Sequence, residues 1–167
     1  ACVAGLAWVW DGVRFEVLHP DDKASADPRR RDNDRSCVIR VATGGASALL
    51  TGDIEKLAES ELVAREGTRL RSQVLLVPHH GARHSSTPAF VAAVDPGLAI
   101  VSAGWRNRFR HPAPAVMQRL AERGVPILRT DRDGAVRVEL PAAPGPLATR
   151  CEADRARYWS DRLPCER

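Results

Sequence analysis

"VLLVPHHGARHSST", residues 74–87, decides how the rest of the chain is read. Its apolar start is unbroken and too short for a helix, so it reads as a strand buried on both faces. A proline ends the run, two adjacent histidines and a glycine follow, and small hydroxyl residues lead into Thr87-Pro88. That pair is a helix start, a hydroxyl cap followed by proline in the first turn. A strand, a polar turn and a helix in such short order make half of a β-α-β unit.

The same pattern repeats on both sides. Ile54, Leu57, Ala58 and Leu62 recur at helical spacing with Gly67 as a stop, ahead of the strand Gln73 to Val77. The helix from Thr87 ends before Asp95-Pro96, and Leu98 to Ser102 is another buried strand. His111-Pro112 opens a third helix, with Val116 and Leu120 on its apolar face and Gly124 at its end. Ile127 to Thr130 and Ala135 to Leu140 flank "DRDG" as a closing hairpin. Upstream, residues 1–19 alternate around Asp11-Gly12, with Val13, Phe15 and Val17 on one face, and predict a β-hairpin. Residues 20–35 are charged, carry Pro20 and Pro28, lack periodicity, and read as a surface loop or partly disordered. Cys37 to Val41 and Ala46 to Thr51 form a second hairpin, with Gly44-Gly45 expected to supply positive φ angles. The class is therefore α/β, two hairpins followed by β-α-β-α-β-α-β-β over residues 1–140. "PAAPGP" reads as a linker, and residues 141–167 as linker and charged tail with room for one short helix around Ala153 to Leu163.

A chain of 167 residues that is 44% hydrophobic can bury the core of one domain. Its longest apolar runs, residues 74–77 and 98–101, fall far short of the roughly 20 residues that a membrane helix needs. It begins at Ala1 within what reads as a strand, with no leader, and is taken as a piece of something longer. The net charge of +4 is a weak pointer to nucleic acid, and 23 arginines against two lysines fit either GC-rich coding or phosphate recognition. Cys2, Cys37, Cys151 and Cys165 lack the close spacing of a zinc knuckle. They suit disulfides pairing Cys2 with Cys37 and Cys151 with Cys165, or four free buried thiols.

In open α/β sheets, ligands sit outside the carboxyl ends of the strands. Three strands here end in polar chemistry: "LLTGD" in Asp53, "VLLVPHHG" in His79 and His80, and "AIVSAGWRNRFRHP" in Asn107 and His111. If these strands are parallel neighbours, their tips meet. Asp53 then serves the site or caps the helix that follows it. His79 and His80, in extended backbone, point to opposite faces, one toward a metal and the other toward substrate or a ligand. His84 is expected to face solvent, and His19 to be structural or exposed. Ser85, Ser86 and Thr87 stand at a helix mouth whose unpaired N–H groups suit an anion, though capping alone explains Thr87. In "RNRFR", Arg106, Arg108 and Arg110 surround Asn107 and Phe109 with no acid among them. That suits phosphate and a base, or simply a solvated basic loop.

Together, "LLTGDIE", "VLLVPHHGARHSST", "NRFRHP" and "LRTDRDGAVRV", in this order and spacing, resemble the later half of the metallo-β-lactamase-like domain at the C-terminus of the ComEC family. These are membrane channel proteins of natural DNA uptake. "WVWDGVRFEVLHP" and "NDRSCVIRV" are similar to that family too, so the resemblance covers residues 1–140. It implies a partial αββα sandwich, a divalent metal site of manganese or zinc, and a DNA nuclease or phosphodiesterase. It also implies a domain outside the cytoplasm, on the periplasmic side of the inner membrane. Asp53 matches an aspartate that bridges two metals, His79 the downstream histidine ligand, with His80 close behind. His111 becomes a further ligand or a phosphate contact. The catalytic and metal set is thus Asp53, His79 and His80, with Ser85, Ser86, Arg106, Asn107, Arg108, Arg110 and His111 toward substrate.

The superfamily's first metal motif, H-x-H-x-D-H, is absent, and its place lies before Ala1. A metallohydrolase needs three or more protein ligands and an open position for water, so this chain alone is expected to be inactive and to hold a metal poorly, if at all. Expected partners are DNA, the channel portion of the same polypeptide, the missing N-terminal half, and a second copy through the apolar face left bare. Two rival readings stand: a non-catalytic DNA-guiding module, and a hydrolase of a small phosphoester or lactam. Upstream sequence separates the first, and the salt dependence of binding the second.

Overall fold

Short turns can join only antiparallel strands, whereas parallel neighbours need a crossover long enough to hold a helix. The chain uses both. In the computed structural model, which describes residues 2–151, seven strands form one sheet in chain order. These are β1 (Ala7–Trp10), β2 (Val13–His19), β3 (Val38–Ala42), β4 (Ser47–Leu50), β5 (Val74–Leu76), β6 (Leu98–Val101) and β7 (Ile127–Arg129). Strands β1 to β4 are an antiparallel meander, and each later strand runs parallel to its predecessor. The helices are α1 (Asp22–Ala26), α2 (Lys56–Glu66), α3 (Pro88–Val94), α4 (Pro114–Ala121) and the single turn α5 (Thr130–Asp133). The three crossovers are α2, α3 and α4.

Strand alternation divides the core. Leu49 and Leu75 meet Ile54, Ala58 and Leu62 from the α2 segment and Phe90 from α3. Further along, Ala99 and Val101 of β6 meet Val91, Val116 and Leu120. The intervening residues Leu98 and Ile100 belong to the opposite face, where they pack with Leu128, Val136, Val138 and Cys151. Leu57, expected on the apolar stripe, is exposed; the stripe is Ile54, Ala58 and Leu62.

Several local expectations give way to long-range contacts. Residues 20–35 are not an irregular loop. Asp21 caps α1 by accepting from Ala24 N–H at 2.7 Å, and Arg30 makes a two-pronged pair with Glu61 of α2 at 2.8 and 2.6 Å. Buried Asp34 accepts from the backbone N–H of Glu55 at 2.9 Å and of Ala58 at 3.4 Å, capping α2 from outside it. Gly44 and Gly45 do not adopt positive φ. They are needed because the carbonyls of Ala142 and Ala143 lie where their Cβ atoms would stand, while Thr43 donates its hydroxyl proton to Pro141 O at 2.6 Å. "PAAPGP" therefore crosses the β3–β4 turn. "DRDG" closes no hairpin: β8 (Val136–Glu139) pairs antiparallel with β9 (Ala148–Cys151), and β9 falls in the stretch expected as linker and tail. The third crossover helix begins at Pro114, after a cis His111–Pro112 bond.

Cys2 and Cys37 form a disulfide, and Cys151 is also disulfide-bonded. Cys165 and the expected tail helix lie outside the described residues. No helix among the described residues is long and apolar enough to cross a membrane. Among the described residues, β1 is an uncovered edge of the sheet: Trp8, Val9 and Trp10 are exposed, and Trp8 stacks on Phe15 with centroids 5.1 Å apart.

Candidate metal and phosphate site

The carboxyl ends of β4, β5 and β6 are tied together by hydrogen bonds. Thr51, just past β4, donates its hydroxyl proton to Leu76 O at 2.6 Å, and Gly52 O accepts from His79 N–H at 3.0 Å. Gly52 has φ +56°, and a Cβ there would lie 2.8 Å from Ser36 Cβ, so only glycine fits. The Ser36 hydroxyl in turn accepts from Asp53 N–H at 3.1 Å. Asp53 is thus held on its backbone side while its carboxylate stands clear.

Both histidines after β5 have left-handed backbone, His79 at φ 50°, ψ 43° and His80 at φ 56°, ψ 21°. The extended geometry expected from sequence is overturned, because the chain turns sharply at Pro78 instead of continuing the strand. Each such residue costs about 1–2 kcal/mol, a strain that tends to gather at functional sites. The rings still diverge, with centroids 6.4 Å apart and planes at 64°. His80 Nδ1 lies 2.7 Å from Ser102 O at the end of β6. A carbonyl only accepts, so Nδ1 carries a proton, and in the neutral ring Nε2 then presents its lone pair. That Nε2 is 3.5 Å from Asp53 Oδ1. Two donors each about 2.1 Å from a tetrahedral ion stand about 3.4 Å apart, so this pair has the spacing of two ligands.

His79 faces a different set. Its Nδ1 is 3.5 Å from Glu55 Oε1, within ion-pair range but without hydrogen-bond geometry, and its Nε2 is 3.5 Å from Asn33 Nδ2. Glu55 also meets Asn33 at 3.3 Å and Arg31 at 3.4 Å. A guanidinium that close disfavours a further cation. The imidazole within ion-pair distance of Asp53 is that of His80, at 3.5 Å, whereas the family resemblance puts His79 first. His111 completes the cluster, its ring 5.9 Å from that of His79. Burial, and then electrostatic interaction with His79 and His80, hold its pKa below the ordinary histidine value.

The expected substrate contacts divide. Ser85 and Ser86 are buried. The anion at the mouth of α3 is the protein's own Glu59, whose carboxylate accepts from the N–H groups of Ser86 and of Thr87, the latter at 2.7 Å. Ser85 donates its hydroxyl proton to Pro78 O and Ala82 O, both at 2.9 Å, and so braces the histidine turn. Asn107 is a loop staple: its amide donates to His111 O at 2.7 Å and to Gly104 O at 3.1 Å, and its Oδ1 accepts from His111 N–H at 2.8 Å. Arg106, Arg108 and Arg110 remain exposed, and His84 faces solvent as expected. Sequence reasoning missed Glu55, Glu59, Asn33, Ser36 and Ser102. Glu59 had a signal, an acid lying beside Ala58 and three residues before Leu62 on the buried stripe. Asn33 had none.

Among the described residues, no group of three or more His, Cys, Asp or Glu side chains is arranged to hold a metal ion. The residues fit an ion only as a two-donor contribution from Asp53 and His80.

No family model matches the chain. Curated relatives do. The chain is 44% identical to "Competence protein ComA" of Neisseria gonorrhoeae over 133 residues, which is 80% of this chain and 19% of that protein. It is 39% identical to "ComE operon protein 3" of Bacillus subtilis (strain 168) over 124 residues, 74% of this chain and 15% of that one. With "Recombination protein 2" of Haemophilus influenzae it shares 39% identity over 137 residues, 82% of this chain and 16% of the relative. The chain thus spans less than a fifth of the length of these relatives. By this similarity the chain belongs to a family of bacterial competence proteins, of which it represents one segment.

Proposed function

We propose that the chain supplies one side of a divalent-metal site that hydrolyses nucleic-acid phosphodiesters in a competence protein that takes up DNA. The observation that carries this reading is the Asp53–His80 pair, 3.5 Å apart at the carboxyl ends of adjacent parallel strands, with the free nitrogen of His80 set by Ser102. Manganese or zinc bound there would lower the pKa of a water and polarise a phosphoryl oxygen. Asp53 and His80 hold two positions; the remaining donors belong to the upstream H-x-H-x-D-H segment implied by the ComEC resemblance. Neutral His111 stands beside the site, and Arg106, Arg108 and Arg110 hold phosphates. This half-site is inactive by itself.

The rest of the reading concerns place and partners. The Cys2–Cys37 disulfide supports an oxidising compartment, so the segment sits on the periplasmic side of the inner membrane, attached to the channel portion of its own polypeptide. The bare β1 edge suits the missing half of the domain or a second copy. A non-catalytic DNA-guiding surface is the second reading, favoured by the absence of a third donor among the described residues.

The test is metal-dependent DNA cleavage by the longer protein that includes the upstream segment. Asp53→Ala and His80→Ala are each expected to lower the rate about 100-fold or more, the scale on which losing a metal's support acts. Unchanged cleavage in both variants removes the pair from the mechanism. No cleavage by the parent protein with either metal favours the guiding surface.

A further inference from the structure

The loop between β6 and α4 presents its large side chains to solvent. Trp105 is 59% exposed and Phe109 64% exposed, among the barest apolar groups of the molecule. Two bare aromatic rings four residues apart on one loop mark a candidate contact surface. The guanidinium of Arg106 lies 5.5 Å from the Trp105 ring centroid, and that of Arg108 lies 4.7 Å from the Phe109 ring centroid. Between residues 103 and 113 there is no acidic side chain. Aromatic surface and positive charge therefore alternate along one short loop.

The loop is also shaped before anything binds. Besides the Asn107 side-chain staples, Asn107 N–H donates to Gly104 O at 3.2 Å and Arg110 N–H to Asn107 O at 3.0 Å. Arg106 and Arg110 take left-handed backbone, at φ 50° and 56°. Preorganisation of this kind lowers the ordering cost of binding. The loop is joined to the site as well: Phe109 stacks on His111 at 5.8 Å with planes 16° apart, and His111 meets His79.

We propose that residues 104–110 form a platform that selects single-stranded nucleic acid, with Trp105 and Phe109 taking the faces of unpaired bases and the flanking arginines taking the phosphates between them. In a duplex the base faces are stacked against one another and out of reach, so aromatic side chains reward only an unpaired strand. The guanidiniums now lying against the rings are held by cation–π attraction and can swing to phosphate when a base replaces them. This deepens the phosphodiesterase reading and rests on it for the role of the strand, because Phe109 would deliver the strand to the Asp53–His80 pair.

The test is binding by the 167-residue chain, in chelator and without metal, to a fluorescently labelled single-stranded oligonucleotide and to its duplex. Trp105→Ala and Phe109→Ala are each expected to weaken single-strand binding by about 5- to 100-fold, with duplex binding changed less than twofold. Trp105→Phe restores most of the loss. Arg106→Ala and Arg108→Ala weaken both ligands, and each lowers the salt slope for the single strand by about 0.7. Of the four tryptophans, Trp105 is expected to carry the fluorescence quench on binding, so Trp105→Phe removes it. Equal losses on both ligands, single-strand affinity within twofold of the parent for both alanine variants, or quenching by anionic lipid vesicles and not by the oligonucleotide would overturn the proposal. Metal-free binding keeps it separate from the cleavage reading. Selective single-strand binding together with a longer protein that never cleaves leaves the platform and removes the hydrolase; cleavage with duplex preference does the reverse.

Discussion

The carboxylate of Glu59 accepts from the backbone N–H of Thr87 at 2.7 Å, across 28 residues of chain. Glu59 is fully buried, and its other oxygen accepts from Ser86 N–H. One side chain on α2 thus satisfies two donors at the start of α3, whose first N–H groups have no partner within their own helix. Arg119 of α4 closes the arrangement by donating to the carbonyls of Ser85, at 3.3 Å, and Ser86.

Glu59→Ala leaves those donors buried without an acceptor and should lower stability by about 2–4 kcal/mol in urea denaturation. Burial, only partly offset by the Thr87 and Ser86 hydrogen bonds and by Arg119, raises the Glu59 pKa above the usual carboxylate value. A raised pKa means that the folded state holds the proton more tightly than the unfolded one. The contribution is full below the unfolded value, about 4.5, and declines as pH rises through the folded value. Glu59→Gln should flatten that decline, and an unchanged pH profile would count against it.

His19 gives the opposite slope. It is fully buried, and its Nε2 meets Asp34 O at 2.8 Å, so that nitrogen carries the proton. Its Nδ1 has no hydrogen-bond partner among the described residues. Burial, against the raising effect of the Asp34 bond, lowers its pKa from 6.5. The folded state then binds the proton less well, so stability is full above 6.5 and is lost as pH falls through the lowered value. Denaturation midpoints at about pH 7.5 and 5.5 should differ less in His19→Gln than in the parent, isolating this group from Glu59.

The disulfide reaches the site through one residue. Cys37 follows Ser36, whose hydroxyl holds Asp53 N–H. With a sequence separation of 35, opening the bond by Cys2→Ser should cost about 3–4 kcal/mol in the chain-entropy account. The same change should speed hydrogen exchange at the Asp53 amide beyond that in the core of β5. Equal acceleration at both would mean global loosening and no particular coupling to the site.

Gly45→Ala places a methyl group against the Ala143 carbonyl. Overpacking of this sort typically costs about 1–3 kcal/mol, and a lower melting temperature checks it. A neutral outcome would mean that residues 141–143 yield easily.

What the sequence disclosed followed the range of the interactions responsible. Asp11-Gly12, Thr87-Pro88 and the Asp95 stop were legible because a turn or cap is decided within a few residues. That the tips of β4, β5 and β6 lie side by side was legible because strand order follows chain order; that the imidazole 3.5 Å from Asp53 belongs to His80, where the resemblance puts His79 first, depends on the sharp turn after Pro78 and was not. Asp34 capping α2 from 21 residues away, and Asn33 meeting His79 from 46 away, left no local pattern. Glycine misled at Gly44-Gly45 because the same residue serves positive φ and close approach. The β8–β9 pairing was hidden by proline-rich sequence that resembles a spacer yet packs across a turn.

Thr51 to Leu76 and Gly52 to His79 are two rungs laid across neighbouring strand tips, one by a side chain and one by the backbone. Acid and imidazole consequently share a single frame of reference, like jaws fixed to one block. The gauge of the opening is therefore built into the backbone that carries the two side chains.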